Sequence, residues 1–313
     1  MTSITLASQA NEGGFPLWLA QKLGYFADNN LEVKITYAAN GAALLGSGAA
    51  GDWQAGWIGS PPAITGYQKF GLITVGTEMH EDKNLKLVMP KSELAKSSPA
   101  EILKTGKVGT TTNSTWSQVL YACANKFGVD PSKLNIVPLD SPAVRQALIA
   151  GQIQAGTTDS SGDYDLLKGS DKFKIVCNGA QAGISIIDPY VVTPKFANSN
   201  PKAAAGFTEA VYRANEYIDA HHSKALDYMQ DYYADAGIKG TKAAAEFSMS
   251  FRQFPTLDEA LKQMKDGSTE KTLKATGQFF VDGGLYKSLP DLSKDIATGL
   301  PILKAAQKIH EGR

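Results

Sequence analysis

Apolar positions along the chain follow two alternating rhythms. Short runs rich in β-branched and aromatic residues, bounded by Gly, Pro, Asn or Ser, predict strands at Ile4–Ala7, Leu31–Tyr37, Trp53–Ile58, Leu72–Gly76, Leu85–Met89, Lys107–Thr111, Leu134–Pro138, Ala155–Thr158, Phe173–Cys177 and Tyr190–Thr193. Between them, apolar residues recur three and four positions apart, as in Trp116, Val119, Leu120, Cys123 and Phe127, which predicts helices. Strands alternating with helices imply an α/β fold with a mainly parallel sheet. From Pro201 the pattern turns almost wholly helical, with helices expected over Ala203–Ala220, Ser223–Ala236, Thr241–Ser250, Thr256–Lys265 and Thr269–Gly277.

The joints from strand to helix share a chemistry. "NEGGFPLW" passes through Gly13-Gly14 into a helix with Pro16 in its first turn, where a missing N–H costs nothing. "GWIGSPPA" repeats the scheme at Gly59-Ser60. "KVGTTTNSTWSQVL" carries an unbroken run of short polar residues from Thr110 to Thr115, longer than a cap requires. Thr115 with Gln118 fits a capping box. "GTTDSSGDYDLLKG" is a fourth such joint. In open parallel sheets these turns line the ligand crevice at the carboxyl ends of the strands. Helix starts offer unpaired N–H donors and partial positive charge, so several converging starts can hold a small anion with few arginines.

Length and composition narrow the classes. A chain of 313 residues is expected to form two domains. With 43% hydrophobic and 20% charged residues, a large core is expected and disorder is not. Lys plus Arg equals Asp plus Glu, 31 each, so no basic excess exists for a nucleic-acid partner. No apolar run reaches the ~20 residues of a membrane span. Met1 leads straight into a strand without a basic and apolar leader, which fits either a cytosolic chain or a mature secreted one. Cys123 and Cys177 show no metal spacing and are expected as buried free thiols, a disulfide being the alternative in an oxidising compartment.

Several motifs fail. "GSGAAG" at Gly46–Gly51 has dinucleotide-loop spacing but lies between a helix and a strand, and is expected to be loop glycines. No phosphate loop, nucleophile elbow or zinc helix is present. His221 and His222 are expected at a helix end, and His80, in "MHEDKN", in a loop within reach of the crevice.

"PLWLAQKLGYFADNNLEVKI" resembles the N-terminal signature of the solute-binding proteins of ABC importers for nitrate, taurine and alkanesulfonates. "GDWQAGWIGSPPAITGYQKFG" and "KTGKVGTTTNSTWSQVLYACANKFGVDPSKLNIVPLDSPAVRQALIAGQIQAG" are similar to the next two blocks of that family, in the same order and spacing, over about the first 195 residues. Gln154 departs from the Asp usual there, and "TTDSSGDY" is not the common pattern. The resemblance implies a bilobal α/β fold, periplasmic-binding-protein-like of type II, with two crossover strands. Lobe one is then residues 1–84 with 189–313, and lobe two residues 85–188. It implies no cofactor, a periplasmic or other extracytoplasmic monomer, a small organic anion as ligand (sulfonate, taurine-like or carboxylate) and a membrane permease as partner.

The site expected on this basis draws donors from Asn11, Gly13, Phe15, Gly59, Ser60, Thr112, Asn113, Ser114 and Thr115. Phe15, Trp57 and Trp116 contact the apolar part of the ligand. Asp159, with Asp163, accepts from a ligand ammonium. Arg252 grips an acid group in a bidentate manner, and His80 reaches in from its loop. The competing expectation is an enzyme on the same fold, akin to thiamine-pyrimidine synthases, although the Cys-rich motif of that relative is missing.

Overall fold

The computed structural model describes residues 1–38, 40–160 and 163–313. Among the described residues ten strands form: β1 (Thr2–Gln9), β2 (Leu31–Ala38), β3 (Ala55–Trp57), β4 (Ile73–His80), β5 (Lys86–Pro90), β6 (Lys107–Thr110), β7 (Asn135–Pro138), β8 (Ala155–Thr158), β9 (Phe173–Asn178) and β10 (Ile187–Val192). They make two five-stranded sheets, ordered β2-β1-β3-β10-β4 and β7-β6-β8-β5-β9. The chain crosses between the sheets twice, from β4 to β5 and from β9 to β10.

The sheets are not mainly parallel. β1 pairs parallel with β2 and β3, and β6 with β7 and β8. β10 runs antiparallel to β3 and β4, and β5 antiparallel to β8 and β9. The reason is topological. A strand entered directly from the other sheet starts at the carboxyl edge of its neighbours, so it must run against them.

Each sheet is buried by helices. The larger core joins the first sheet to the C-terminal helices through Trp57, Tyr190, Phe207, Tyr212 and Tyr232. Buried phenols there are paired: Tyr212 donates to the Thr77 carbonyl at 2.9 Å and Tyr190 to Asn215 Oδ1 at 3.0 Å. Separate clusters cover the second sheet around Val119, Leu120 and Val108 on one side and Val144, Leu148 and Ile153 on the other.

Expected helices occur at Pro201–Ala220, His222–Ala236, Lys242–Met249, Leu257–Lys265 and Ser268–Asp282, and a further one spans Leu292–Glu311. That last helix presses on β4. A Cβ at Gly299 would lie 1.7 Å from the Thr74 carbonyl oxygen, so only glycine permits the approach. Asp295 Oδ1 accepts the Thr74 N–H at 2.8 Å.

Two further expectations are corrected. The "GSGAAG" glycines are not a loop: they close the helix Gly41–Ala50, and only Gly51, at φ 87°, leaves it. Its Gly48 lets the Trp53 ring pack where a Cβ would come within 2.4 Å. The cysteines are not free: Cys123 and Cys177 form a disulfide with their Cα atoms 6.0 Å apart. Cys123 points from the helix Thr115–Lys126 onto β9, and helical periodicity shows that buried face without showing what it meets.

Candidate ligand site between the two sheets

The carboxyl edge of each sheet bears the joints, and the two edges meet. The first contributes the loop after β1, the start of the helix Ser60–Phe70, the end of β4 and the start of β10. The second contributes the loop after β6, the end of β8 and the start of β5.

In the loop after β1, Asn11 Oδ1 accepts the Gly13 N–H at 2.9 Å, and the Asn11 carbonyl accepts from Tyr232 at 2.5 Å. Gly13 lies on the Trp57 indole, where a Cβ would sit 2.7 Å from the ring. Phe15 and Trp57 are core side chains, 0% and 2% exposed. The Trp57 N–H donates to Ser8 Oγ at 3.0 Å. Both aromatics therefore brace this loop from beneath.

At the next joint, Gly59 precedes the helix, and a Cβ there would stand 3.6 Å from Asp188 Oδ1. Ser60 is fully buried; its hydroxyl donates to the Ile187 carbonyl, and its backbone N–H donates to the Asp188 carboxylate. The chain's own carboxylate thus sits at the helix start that sequence reasoning left open for a guest anion.

Across from it, Thr112 and Asn113 are exposed. Asn113 takes φ 55°, a left-handed position that a short amide side chain tolerates. The helix is capped one residue earlier than the sequence suggested. Ser114 is the cap, its N–H donating to Ser117 Oγ at 3.2 Å, so the box uses Ser117 and not Gln118. The Ser114 hydroxyl donates to the Thr111 carbonyl at 2.5 Å. Thr115 and Trp116 are half-buried, and the Trp116 indole N–H has no hydrogen-bond partner among the described residues. Ser161 and Gly162 of the fourth joint lie outside the described residues.

Where the edges meet, ionisable groups are packed together. Arg252 Nη1 donates to Ser160 Oγ at 2.8 Å; its other nitrogens lie 3.6 Å from Glu12 Oε2 and 3.9 Å from Glu81 Oε1. Asn84 bridges onward: its Nδ2 donates to Glu81 Oε1 at 3.0 Å, and its Oδ1 accepts the Ser160 N–H at 2.9 Å. Lys86 Nζ lies 3.4 Å from Asp163 Oδ2 and 4.3 Å from the centre of the Phe251 ring. Thr158 donates to Asp163 Oδ2 at 2.6 Å, and Arg145 lies 3.8 Å from Asp163 Oδ1. Asp159 Oδ2 accepts from Ser141 at 2.8 Å, whereas its Oδ1 is buried without a hydrogen-bond partner among the described residues.

Burial shifts five of the neighbouring groups toward their neutral forms. It pushes Glu78 well above the usual carboxyl range, with Asp188 and Glu81 adding repulsion. It does the same to Asp188, repelled by Glu81. Asp163 is pushed up to about 6 by burial, against the pull of Lys86. Burial lowers Lys86. His80, the last residue of β4, is lowered by burial against the pull of Asp82; its Nε2 meets the Gln263 amide at 3.2 Å, and its backbone N–H donates to the Gln253 carbonyl at 2.9 Å.

The structure thus gathers Asp159, Asp163 and Arg252 into one cluster and puts Gly59 and Ser60 against Asp188. Thr112 to Trp116 form a separate polar start on the opposite edge. Glu12, Glu78, Glu81, Lys86 and Ser160 went unnoticed in the sequence. A signal existed for two of them: Glu78 and Lys86 interrupt the strand-like segments "ITVGTEM" and "LKLVM".

Two α/β lobes joined by a double crossing, with ionisable groups at the opposed carboxyl edges, define a periplasmic-binding-protein fold of type II. The sequence profile of the family described as NMT1/THI5 like matches residues 11–225, and the chain belongs to that family. It is 22% identical over 311 residues to a protein of Brachyspira hyodysenteriae named as an ABC transporter periplasmic binding protein, covering 90% of this chain and 88% of the other. Its fold is similar to the periplasmic aliphatic sulphonate binding protein SsuA of Escherichia coli: TM-score 0.75 at 15% identity, over 96% of this chain and 99% of that one. The alkanesulfonate-binding SsuA of Xanthomonas axonopodis pv. citri, bound to MOPS, matches with a TM-score of 0.62 at 15% identity, over 87% and 94% of the two chains.

Proposed function

We propose that the protein is the extracytoplasmic solute-binding component of an ABC importer. Residues 1–84 with 189–313, and residues 85–188, act as two lobes that close over one small organic solute and present it to a membrane permease. The observation that carries this reading is the meeting of two carboxyl edges across a double crossing, with Arg252 on one side bonded to Ser160 on the other. Hinge closure around a ligand follows from that connectivity. The Cys123–Cys177 disulfide supports an oxidising compartment.

The sulfonate-binding relatives support an acid group on the solute. The helix start at Ser114, Thr115 and Trp116 is the best receptor for it, because its first turn holds no acidic residue and the Trp116 indole N–H has no hydrogen-bond partner among the described residues. Thermal unfolding with alkanesulfonates, aminosulfonates, aromatic sulfonates, nitrate and carboxylates tests the reading. A ligand at one hundred times its dissociation constant adds about 2.7 kcal/mol to stability. A flat response to every member removes the anion reading. A solute recovered chemically altered moves the protein to the enzymes of the same fold.

A further inference from the structure

The C-terminal helical part reaches the second lobe on both faces of its sheet. On one face, Lys86 Nζ lies 4.3 Å from the centre of the Phe251 ring, and Phe247 meets Tyr164 edge-on with ring centres 5.9 Å apart. Strand alternation puts Lys86 on the side of β5 that carries Val88, which packs with Val144 and Leu148. On the other face, where Leu87 packs with Val119, Tyr121 meets Phe279 edge-on, with ring centres 5.6 Å apart and planes at 63°. This second contact joins two anchored parts. Tyr121 stands on the helix Thr115–Lys126, which the Cys123–Cys177 bridge ties to β9 and which starts at the polar receptor. Phe279, in the helix Ser268–Asp282, lies 5.1 Å from the Phe280 ring, and Phe280 lies 5.4 Å from Tyr286. The Tyr286 hydroxyl donates to the Pro61 carbonyl at 2.7 Å, in the first turn of the helix Ser60–Phe70. A chain of rings thus links the two helices that begin at the facing edges. Each end is fixed to its own lobe, so parting the lobes must break the Tyr121–Phe279 contact.

We propose that Tyr121 and Phe279 form a latch that holds the lobes closed, so that a pair of rings outside the polar receptor sets how long a solute stays bound. The latch rests on the solute-binding reading above and deepens it. An edge-to-face pair at this spacing is attractive beyond the area it buries. Both rings are half-buried, and the contact exists only while the lobes are together. Its energy therefore favours the closed form over the open one by the same amount for every solute. The helix Ser268–Asp282 then has a task beyond covering the first sheet: it carries one half of the closure.

Small-angle scattering of the full chain without added solute compares wild type with Tyr121→Ala, Phe279→Ala and the double variant. Each single variant should be expanded relative to wild type, and the double variant no more than either, because the same contact is lost each time. Tyr121→Phe keeps the ring and should keep the wild-type profile. Phe279→Leu, which keeps apolar bulk but loses the ring edge, serves should Phe279→Ala fail to fold, and it too should expand. Unchanged profiles for both single variants overturn the latch, and so does expansion that adds in the double variant, the mark of two separate local losses. Tryptophan fluorescence then follows release of ethanesulfonate and of 2-aminoethanesulfonate. Both should leave Phe279→Ala faster than wild type by one common factor of about two to ten. Unequal factors would put the Phe279 ring against the solute and overturn the latch. Binding of neither solute by wild type removes the anion reading, and the scattering still decides the latch.

Discussion

Arg252 Nη1 lies 2.8 Å from Ser160 Oγ, and that bond joins a residue after the helix Lys242–Met249 to the end of β8 in the other sheet. The guanidinium sits between Glu12 and Glu81 of its own side, so one residue serves charge balance and lobe contact together. Arg252→Met strands those two carboxylates and is expected to cost about 3–5 kcal/mol. Ser160→Ala removes the contact without stranding a charge, at about 1 kcal/mol. Urea unfolding measures both. Small-angle scattering should show expansion for Ser160→Ala, and an unchanged radius would mean that the bond does not hold the lobes.

Stability should depend on pH through buried acids. Burial pushes Asp295 up to about 6, against its hydrogen bonds from Thr74. Below its ordinary value of 3.8 both folded and unfolded states hold the proton. As the pH rises from there to about 6, the unfolded chain loses it first, so stability falls, by on the order of 3 kcal/mol in full. Asp163 acts in the same direction over the same window. His80, lowered by burial, acts oppositely as pH falls through 6.5. Asp295→Asn lacks the penalty. Its melting temperature relative to wild type should be higher at pH 7.5 than at pH 5, and an equal offset at both would contradict the assignment.

The disulfide closes a loop across a sequence separation of 54 and anchors the helix Thr115–Lys126 to β9. The chain-entropy relation gives about 4 kcal/mol for a loop of that length. The paired Cys123→Ser and Cys177→Ser variant should lose that order of stability, as should the reduced wild type. Denaturant midpoints unchanged by reductant would show that the bridge adds nothing.

Gly299→Ala places a methyl against the Thr74 carbonyl and forces the C-terminal helix off β4. Overpacking of this kind costs about 1–3 kcal/mol, and contact with rigid backbone puts it at the upper end. Gly46, with open space around it in the helix Gly41–Ala50, is the control, and Gly46→Ala should be neutral or stabilising.

The paired variant Ser114→Ala and Thr115→Ala distinguishes a ligand site from a cap. Loss of the cap costs about 1–2 kcal/mol. Binding of whichever sulfonate raises the melting temperature should weaken at least tenfold in addition. Intact affinity with lowered stability would leave capping as the whole role of those hydroxyls.

The strands were legible because each is a short apolar run with marked ends, and each expected run overlaps an observed one, from Ile4–Ala7 in β1 to Tyr190–Thr193 in β10. Strand direction was not legible. Nothing local in "LKLVM" or "DPYVV" says that β5 and β10 run against their neighbours, because that follows from the crossing. The helix Leu292–Glu311 was hidden by Pro301 and Gly299, which signal a break in an isolated peptide; here Gly299 packs against β4 while Pro301 lies exposed within the helix. The polar joints were visible as composition. Their occupants were not: Asp188 at the Ser60 helix start lies 128 positions away in sequence, and only the sheet brings it there. The aromatic pair Phe15 and Trp57 showed the same blindness, since sequence does not reveal which side of a loop a ring supports.

The two reversed strands also set a timetable for synthesis. The second sheet has all its strands once Asn178 has emerged from the ribosome, whereas the first sheet still waits for β10 to slot between β3 and β4. The portion translated first is therefore completed last. The middle of the chain behaves as an insert that matures inside an unfinished host, and an early stop after β9 would release one finished half attached to a half with a gap in its middle.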